Sequence, residues 1–168
     1  CLQEGISHEA IEFSGHLKLS KLIVLWDDNK ISIDGSTGLS NSANQISRFK
    51  AAGWHTQTID GHDHDEIEEA IIKSKKSRKP SIIACKTTIG FGAPNLGGTS
   101  KTHGAPLGAD EIVATRKALG WSNKPFEIPE GILELWKKTA ERSQKIFEEW
   151  ENRYEQSSKK KRFRLFID

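Results

Sequence analysis

The sequence predicts an α/β fold, a mainly parallel sheet with helices on both faces. Apolar runs of strand length alternate with segments of helical periodicity, and the connections between them are short. Such strand–helix–strand connections are right-handed and leave the strands parallel. Ligands of these folds bind at the carboxyl ends of the strands, so we expect the functional site at that edge of the sheet.

The composition excludes several classes of protein. The 168 residues suffice for one core of this kind, and 25 Lys and Arg against 23 Asp and Glu are too balanced to indicate a nucleic-acid partner. No apolar run approaches the roughly 20 residues of a membrane-spanning helix, so no membrane partner is expected. Two cysteines, Cys1 and Cys85, make no disulfide framework and predict a reducing, cytoplasmic compartment. The chain has no methionine, and we interpret it as a fragment or processed product.

The first predicted elements are a helix and a buried strand. The helix follows Gly5 and ends near Leu19, and apolar residues at spacings of four, three and four lie on one face of it. The continuous apolar run Leu22–Trp26 predicts a strand that is buried on both faces. Residues 30–42 are rich in Ser, Gly and Asn, which predicts a loop. The apolar residues of the helix are Ile6, Ala10, Phe13 and Leu17.

Two further helix and strand pairs follow in the middle of the chain. A short helix is predicted over residues 46–52, and a second strand over residues 54–59. A longer helix begins at Asp63, because this residue and Glu66 have the spacing of a capping pair. That helix ends before the next proline, and the third strand covers residues 81–87.

The last third of the chain predicts a short helix over residues 110–119, an extended linker over residues 125–129 and then a long helix. The apolar stripe of the long helix has spacings of three or four and is predicted to pack on the domain or on a partner. We assign residues 1–155 to one partial domain and residues 156–168 to a basic, frayed C-terminal tail. The stripe consists of Ile132, Trp136, Ala140, Ser143, Phe147, Trp150 and Tyr154.

Polar residues follow the first predicted strand. Asp27, Asp28 and Asn29 offer the hard oxygen ligands that Mg²⁺ and Ca²⁺ prefer. Asp and Asn also occur in turns, because their side chains bond to the nearby backbone. The residues by themselves leave a metal site and a simple turn as alternatives.

A glycine-rich segment follows the third predicted strand and leads to His103. Glycines let backbone N–H groups approach an anion closely, and a histidine adds a further donor, so the segment is a candidate phosphate cradle. A flexible surface loop is the alternative. The segment matches neither the dinucleotide-binding fingerprint nor a P-loop. Its glycines are Gly90, Gly92, Gly97 and Gly98.

The stretch His62-Asp63-His64-Asp65 has the residue types of a metal-ligand cluster. We favour a helix cap, because side chains that alternate at the start of a helix do not converge and Asp63 is already predicted as the cap. The sequence contains no Gly-x-Ser-x-Gly motif, which disfavours a serine hydrolase.

Together these motifs resemble one family, the transketolases, in their thiamine-diphosphate-binding N-terminal domain. The match runs in order over roughly residues 1–150, which short motifs do not do by chance. The resemblance implies that residues 1–155 are a partial diphosphate-binding domain of an enzyme that uses thiamine diphosphate and Mg²⁺. Such an enzyme transfers a two-carbon ketol group from a ketose phosphate to an aldose phosphate in the pentose phosphate pathway. The motifs are Cys1–Ala10, Asp27–Gly35, Gly53–His55, Asp60–Asp63, Cys85–Gly92 and His103–Gly108.

The resemblance also implies roles for individual residues. Asn29 is expected to bind Mg²⁺, or Ca²⁺ in its place, through the side-chain oxygen and Ile31 through the carbonyl oxygen, with diphosphate and water as further ligands. Ile33 is expected to pack against the cofactor rings. His103 is expected to contact both the diphosphate and the substrate as a catalytic residue. Glu4 is expected to act at a homodimer interface, in a proton-sharing network between two cofactor sites.

The chain departs from the family pattern at several points. The family's Gly-Asp-Gly, whose Asp binds Mg²⁺, immediately precedes the counterpart of Cys1, and Ser100 stands where many members have a further histidine. We therefore expect no turnover from this chain by itself and a need for the rest of a transketolase polypeptide and a homodimer partner. One alternative is a catalytically silent binding or assembly module. Another is a dehydrogenase E1 component or a deoxyxylulose-phosphate synthase, against which the motif His103–Gly108 argues.

Overall fold

The structure, a computed structural model, describes residues 2–164 apart from the side chains of Lys161 and Phe163. The chain divides into two compact units, Cys1–Trp121 and Ser122–Asp168. The helices and strands, in chain order, are α1 (Gly5–His16), β1 (Ile23–Asp28), β2 (Ile31–Ser32), β3 (Gly35–Ser36), α2 (Gln45–Ala51), β4 (His55–Asp60), α3 (His64–Lys76), β5 (Ser81–Lys86), α4 (Ala109–Ala118), α5 (Glu130–Glu155) and α6 (Lys160–Arg164).

Three parallel strands form the main sheet of the first unit. Their order is β1-β5-β4, and Ser81 at the start of β5 lies in register with Ile23 on one side and His55 on the other. Residues 81–84 are all buried, and successive side chains of a strand point to opposite faces, so both faces of β5 are covered. The predicted α/β fold with a mainly parallel sheet is confirmed.

The prediction that the first strand is buried on both faces is wrong. Leu25 in the middle of β1 is 55% exposed. The centre of the main sheet is β5, which is the last of its three strands in sequence. Within the described residues, β1 pairs with β5 alone, and β5 has a neighbour on each side. The apolar run therefore indicates a strand correctly, but its burial depends on how many neighbours that strand acquires.

The core of the first unit joins α1 and α2 to the sheet. Phe49 and Trp54 meet edge to face, with 5.0 Å between ring centroids and 89° between ring planes. The indole N–H of Trp54 donates a 2.9 Å hydrogen bond to the carbonyl oxygen of Ile11. These three residues and Ile82 are buried together, and the hydrogen bond removes the cost of burying the indole nitrogen.

The apolar face that the sequence predicts for α1 is not the face that the helix buries. Its four apolar residues are exposed, and Ile11 and Gly15 are buried instead. A Cβ atom on Gly15 would lie 1.8 Å from the carbonyl oxygen of Ala52, so the helix packs on the end of α2 through a glycine. Apolar periodicity cannot report such a contact, because a glycine carries no apolar signal. The exposed residues are Ile6, Ala10, Phe13 and Leu17.

The predicted start of a helix at Asp63 and the predicted end of another at Gly53 are both confirmed. The Asp63 side chain accepts hydrogen bonds from the backbone N–H groups of Asp65 and Glu66 at 2.9 and 3.0 Å, and α3 begins at the next residue. The Glu66 carboxylate accepts from the N–H of Asp60 at 2.8 Å and not from that of the cap residue. Gly53 ends α2 with a φ of +86°, a conformation that favours glycine.

The segment predicted as a loop, residues 30–42, contains regular structure. Strands β2 and β3 pair as a short antiparallel hairpin, and a single 3-10 turn follows at Thr37–Leu39. The Thr37 N–H donates a 2.9 Å hydrogen bond to the carbonyl oxygen of Lys30. This bond closes the hairpin onto the turn after β1, which holds the hairpin beside the carboxyl edge of the sheet.

The second unit contains the long helix α5. Its predicted apolar stripe is exposed, and Trp136 and Phe147 are 70% and 51% accessible. Aromatic rings near its C-terminal end stack on one another, with centroid distances of 6.1 Å between Phe147 and Trp150 and 5.3 Å between Trp150 and Tyr154. Packing of this stripe on a partner stays a prediction.

The predicted C-terminal tail is irregular over residues 156–159 and forms a short helix after them within the described residues, and its fraying stays a prediction. Helix α6 covers Lys160–Arg164, and residues 165–168 of the predicted tail lie outside the described residues. The functional boundary between residues 155 and 156 stays a prediction, while the compact units divide after Trp121. No helix in the described part of the chain is long and apolar enough to cross a membrane.

Candidate functional site

A cleft of about 920 Å³ opens at the carboxyl ends of the three parallel strands. Each strand contributes to it near its end, through Asp28 of β1, Thr58 of β4 and Lys86 of β5. The hairpin and the start of α2 form further parts of its wall. The cleft therefore lies at the edge of the sheet where α/β folds bind their ligands.

The turn after β1 is held by its own side chains. Asn29 Oδ1 accepts a 2.9 Å hydrogen bond from the N–H of Ile31, and Lys30 between them has a φ of +62°. The Lys30 ammonium lies 2.8 Å from the Asp28 carboxylate and 5.5 Å from the centroid of the Trp26 ring. Asn29 thus makes the local turn that the sequence left as an alternative. An amide oxygen has two lone pairs, so one remains for a cation.

The two aspartates at this corner are already engaged. Asp28 is buried and paired with Lys30, and Asp27 accepts a hydrogen bond from the hydroxyl of Thr87. Burial and then the charge of Asp27 raise the pKa of the Cys85 thiol on the neighbouring strand. Asp27 therefore links the end of β1 to the residue after β5, and Asp28 neutralises Lys30. Asn29 adds an uncharged side-chain oxygen that keeps one lone pair.

Sequence reasoning missed Lys86 as a cleft residue. It stands in register between Asp28 on β1 and Asp60 on β4, but those carboxylates bind Lys30 and the N–H of His62 instead. Among residues 2–164, no carboxylate forms an ion pair with Lys86. Lys86 lines both this cleft and a smaller cavity beside His62, and its positive charge is available to an anion. The available signal was its place at the end of the third predicted strand.

His103 also lines this cleft, although it lies far from Asn29 in the sequence. It follows the short 3-10 turn Ser100–Thr102, and its N–H donates a 3.0 Å hydrogen bond to the Ser100 carbonyl oxygen. Its side chain is exposed and lines the cleft together with Asn29 and Ile31. The structure thus brings together three of the five predicted site residues, although His103 follows the other two by more than 70 positions.

Two predicted site residues lie outside the lining of this cleft. Ile33 is at the tip of the β2–β3 hairpin and is 71% exposed. Glu4 immediately precedes α1 with an exposed side chain, and its carbonyl oxygen accepts a 3.0 Å hydrogen bond from the N–H of Ser7. The neighbouring Gln3 lines the cleft instead. The expected contacts of Ile33 with cofactor rings and of Glu4 with a second subunit stay predictions.

The glycine-rich segment is a folded loop that uses its own amide groups. The N–H groups of Ala93, Gly97 and Gly98 donate to carbonyl oxygens within the loop at 2.8–3.0 Å. The N–H groups of Asn95 and Leu96 donate to the Glu111 carboxylate at 2.8 and 3.0 Å. These five donors are therefore engaged within the protein, and the structure favours neither a cradle made of them nor a loop without fixed structure.

The anchor of this loop, Glu111, has a perturbed acidity. The Asn95 side chain donates a 2.8 Å hydrogen bond to it, in addition to the two backbone donors. These bonds, led by that of the Asn95 side chain, hold the pKa of the Glu111 carboxyl below its usual value, against a smaller opposing effect of burial. The charged form of Glu111 is thus part of the loop's structure.

The stretch from His62 to Asp65 makes local hydrogen bonds. His62 Nε2 accepts from the Thr88 N–H at 2.9 Å, and Asp63 caps α3 as predicted. Between residues 2 and 164, no group of three or more His, Cys, Asp and Glu side chains is arranged to hold a metal ion.

Comparison with known proteins identifies relatives of this chain. Residues 1–165 match the family profile described as transketolase, thiamine diphosphate binding domain. The chain is 55% identical to a transketolase of Sinorhizobium medicae over 167 residues and 53% identical to transketolase 2 of Vibrio parahaemolyticus over 137 residues. These alignments cover 99% and 81% of the chain, but only 24% and 21% of the relatives.

Solved structures give the same result. The crystal structure of a Campylobacter jejuni transketolase superposes with a TM-score of 0.91 at 40% identity, covering 97% of this chain and 26% of that one. A Pichia stipitis transketolase in complex with sedoheptulose-7-phosphate has a TM-score of 0.86 at 39% identity, covering 98% of this chain and 25% of that one. The chain thus spans about a quarter of the length of the relatives that it matches.

Proposed function

This chain belongs to the transketolase family, and we propose that its cleft binds thiamine diphosphate with Mg²⁺ as part of an enzyme that transfers two-carbon ketol groups. The observation that carries the proposal is the convergence of Asn29, Ile31 and His103 on one cleft at the carboxyl ends of the strands. The donor is a ketose phosphate and the acceptor an aldose phosphate, as in the pentose phosphate pathway. A relative seen in complex with sedoheptulose-7-phosphate supports this class of substrate.

The oxygen atoms at the turn after β1 fit a hard divalent cation. Asn29 Oδ1 keeps a lone pair after its bond to the Ile31 N–H, and the Ile31 carbonyl belongs to the same turn. Mg²⁺ takes six oxygen ligands and commonly shares them with phosphate, so these two atoms would be a partial set that the diphosphate and water complete. Ca²⁺ has the same preference for oxygen and is the expected substitute.

The anionic part of the cofactor would lie near two basic side chains. His103 and Lys86 both line the cleft, and Lys86 has no ion pair within the described residues. An ammonium group and an imidazole N–H are suitable donors for phosphate oxygens. Thiamine diphosphate itself supplies the group that accepts an electron pair when the carbon–carbon bond breaks. The residues of this chain hold, orient and neutralise the charge of that cofactor.

The remaining expected roles belong to the larger assembly. His103 would contact the substrate beside the cofactor, Ile33 would pack against the cofactor rings, and Glu4 would share a proton network across a homodimer interface. The exposed apolar face of α1, next to Glu4, supports contact with further protein. We accordingly expect the partners to be the rest of a transketolase polypeptide and a second copy of it, in the cytoplasm, with no nucleic acid or membrane involved.

A catalytically silent assembly module is the second candidate function. The exposed aromatic stripe of α5, which includes Trp136 and Phe147, favours it, because such a stripe on a helix is typical of a surface that binds another protein. In that case the chain would dock on a partner but bind no cofactor. Cofactor binding therefore separates the two functions.

The test is calorimetric titration of thiamine diphosphate and Mg²⁺ into two proteins. The first is the 168-residue chain, and the second is the Sinorhizobium medicae transketolase with this chain in place of its own matching segment. We expect cofactor binding and ketol transfer in the graft, and no turnover in the chain alone. Failure of a correctly folded graft to bind the cofactor would refute the proposed function.

A further inference from the structure

The imidazole of His62 holds two points of the glycine-rich loop. Its Nε2 atom accepts a 2.9 Å hydrogen bond from the N–H of Thr88, two residues beyond the end of β5. Its ring stacks on that of Phe91, with 4.0 Å between centroids and 23° between planes. One side chain from the β4–α3 connection thus contacts the backbone at the start of the loop and a ring three residues later.

Hydrogen bonds hold the backbone of His62, whose side chain is exposed. Its N–H donates a 2.9 Å hydrogen bond to Asp60, and the Gly61 N–H donates one of 2.8 Å to the carbonyl oxygen of Lys86. A Cβ atom on Gly61 would lie 2.9 Å from Cys85 Cβ and 3.0 Å from that same carbonyl oxygen. The turn that carries His62 is therefore packed tightly against the end of the central strand.

The glycine-rich loop is in contact with the segment that carries His103. A Cβ atom on Gly90 would lie 2.9 Å from Thr102 Cγ2, so loop backbone and Thr102 side chain are in close contact. The N–H of Gly98 donates a 2.8 Å hydrogen bond to the carbonyl oxygen of Ile89, which fixes the return of the loop. Thr102 directly precedes His103 in sequence.

The hydrogen bond also defines the state of the His62 ring. A backbone N–H is only a donor, so Nε2 accepts and the ring proton is on Nδ1. His62 lines a small cavity of about 540 Å³, and the charged residues around it are Asp60, Glu66 and Lys86. Asp60 and Glu66 are engaged with backbone N–H groups, and the imidazole is left as the acceptor for Thr88.

From these contacts we propose that His62 is a positioning residue, which fixes the glycine-rich loop and through Thr102 sets the place of His103 in the cleft. The proposal rests on the proposed function for the role of His103. The positioning role goes beyond the proposed function, because His62 does not line that cleft. Its two contacts can be removed separately: His62→Phe keeps a ring but no acceptor, and Phe91→Ala keeps the acceptor but no stack.

The first experiment measures amide hydrogen exchange in the full 168-residue chain. His62→Phe is expected to speed exchange of the amides in residues 88–103 by about fivefold to tenfold, the equivalent of one net hydrogen bond, with unchanged exchange in β1 and β5. His64→Ala is the matched control, because His64 is an exposed histidine two residues away. Unchanged exchange in 88–103, or an increase spread evenly over the chain, would overturn the proposal.

The second experiment is a double-mutant cycle for thiamine diphosphate affinity in the graft protein. His62→Phe is expected to weaken binding by about fivefold, and the loss is expected to disappear in a His103→Ala background. Equal losses in both backgrounds would refute an effect through His103. If no variant and no parent binds the cofactor, the proposed function fails instead. The exchange data and the NMR shift of the His103 ring on His62→Phe substitution then decide the positioning role.

Discussion

The turn after β1 and the loop after β5 border the same edge of the sheet but use their polar groups differently. At the turn, Asn29 makes one hydrogen bond to the Ile31 N–H and keeps a lone pair in the cleft. In the loop, the N–H groups of Ala93, Gly97 and Gly98 are consumed by loop carbonyls. Glycine content at a strand end therefore does not by itself make an anion site. The decisive property is whether donors and acceptors remain after the backbone has folded on itself.

The largest effect that this comparison predicts is at Asn29. We expect Asn29→Ala to weaken binding of thiamine diphosphate with Mg²⁺ in the graft by about 100-fold, because the variant removes both the proposed metal ligand and the turn that holds it. Ser77→Ala is the control, since Ser77 Oγ accepts from the Lys79 N–H at 3.1 Å in a similar two-residue turn and does not line the cleft. Calorimetry measures both. Equal losses in the two variants would reduce Asn29 to a turn residue.

A substitution in the glycine-rich loop should lower the free energy of unfolding of the chain. A Cβ atom on Gly97 would lie 2.6 Å from the Ala93 carbonyl oxygen, so we expect Gly97→Ala to lower the free energy of unfolding by about 1–3 kcal/mol. Gly5→Ala, where nothing lies within 4 Å of the added atom, is the control and should leave it nearly unchanged. Urea unfolding of the chain measures the difference. A neutral Gly97→Ala would mean that the loop can relax around the added methyl group.

A smaller effect, with a defined pH dependence, is expected at the carboxylate that anchors the loop. The folded pKa of Glu111 is below its ordinary value of 4.5, so its charged form stabilises the fold above that pH and the contribution is lost as the pH falls below it. Glu111→Gln should therefore lower the urea midpoint at pH 7, and the difference from the parent should shrink in acid. Asp110→Asn, one residue away, should show a smaller change at both pH values. A difference that grows in acid would contradict the assignment.

The smallest expected effect is at Cys85, which lies on β5 beside Asp27 of β1. Burial and the charge of Asp27 raise the pKa of Cys85, so its thiolate fraction at pH 8 is lower than that of a free thiol. Asp27→Asn removes the second cause and should speed alkylation of Cys85 by about twofold to threefold at that pH. Peptide mapping by mass spectrometry distinguishes Cys85 from Cys1. An unchanged rate in the variant would assign the raised pKa to burial alone.

Much of the candidate site could be predicted from the sequence. The polar corner after β1 and the histidine after the glycine-rich segment were assigned to one cleft because parallel strands end at the same edge of the sheet. Lys86 was missed, because a lysine at a strand end is ordinary until its neighbours are known. Its two flanking aspartates turn out to bind Lys30 and the His62 N–H. Pairing of charges across strands is a tertiary property that residue type does not encode.

The sequence by itself determined the order and type of the three main-sheet strands and of helices α1 to α5, the cap at Asp63 and the end of α2 at Gly53, because these depend on contacts within a few residues. Only the tertiary structure decided which strand is central, which face of α1 is buried and whether the glycine-rich loop keeps free amides. Those outcomes depend on partners distant in the chain, such as Ala52 for Gly15 and Glu111 for the loop. A local pattern records what a residue is able to do, and the packed chain selects which of those contacts is made.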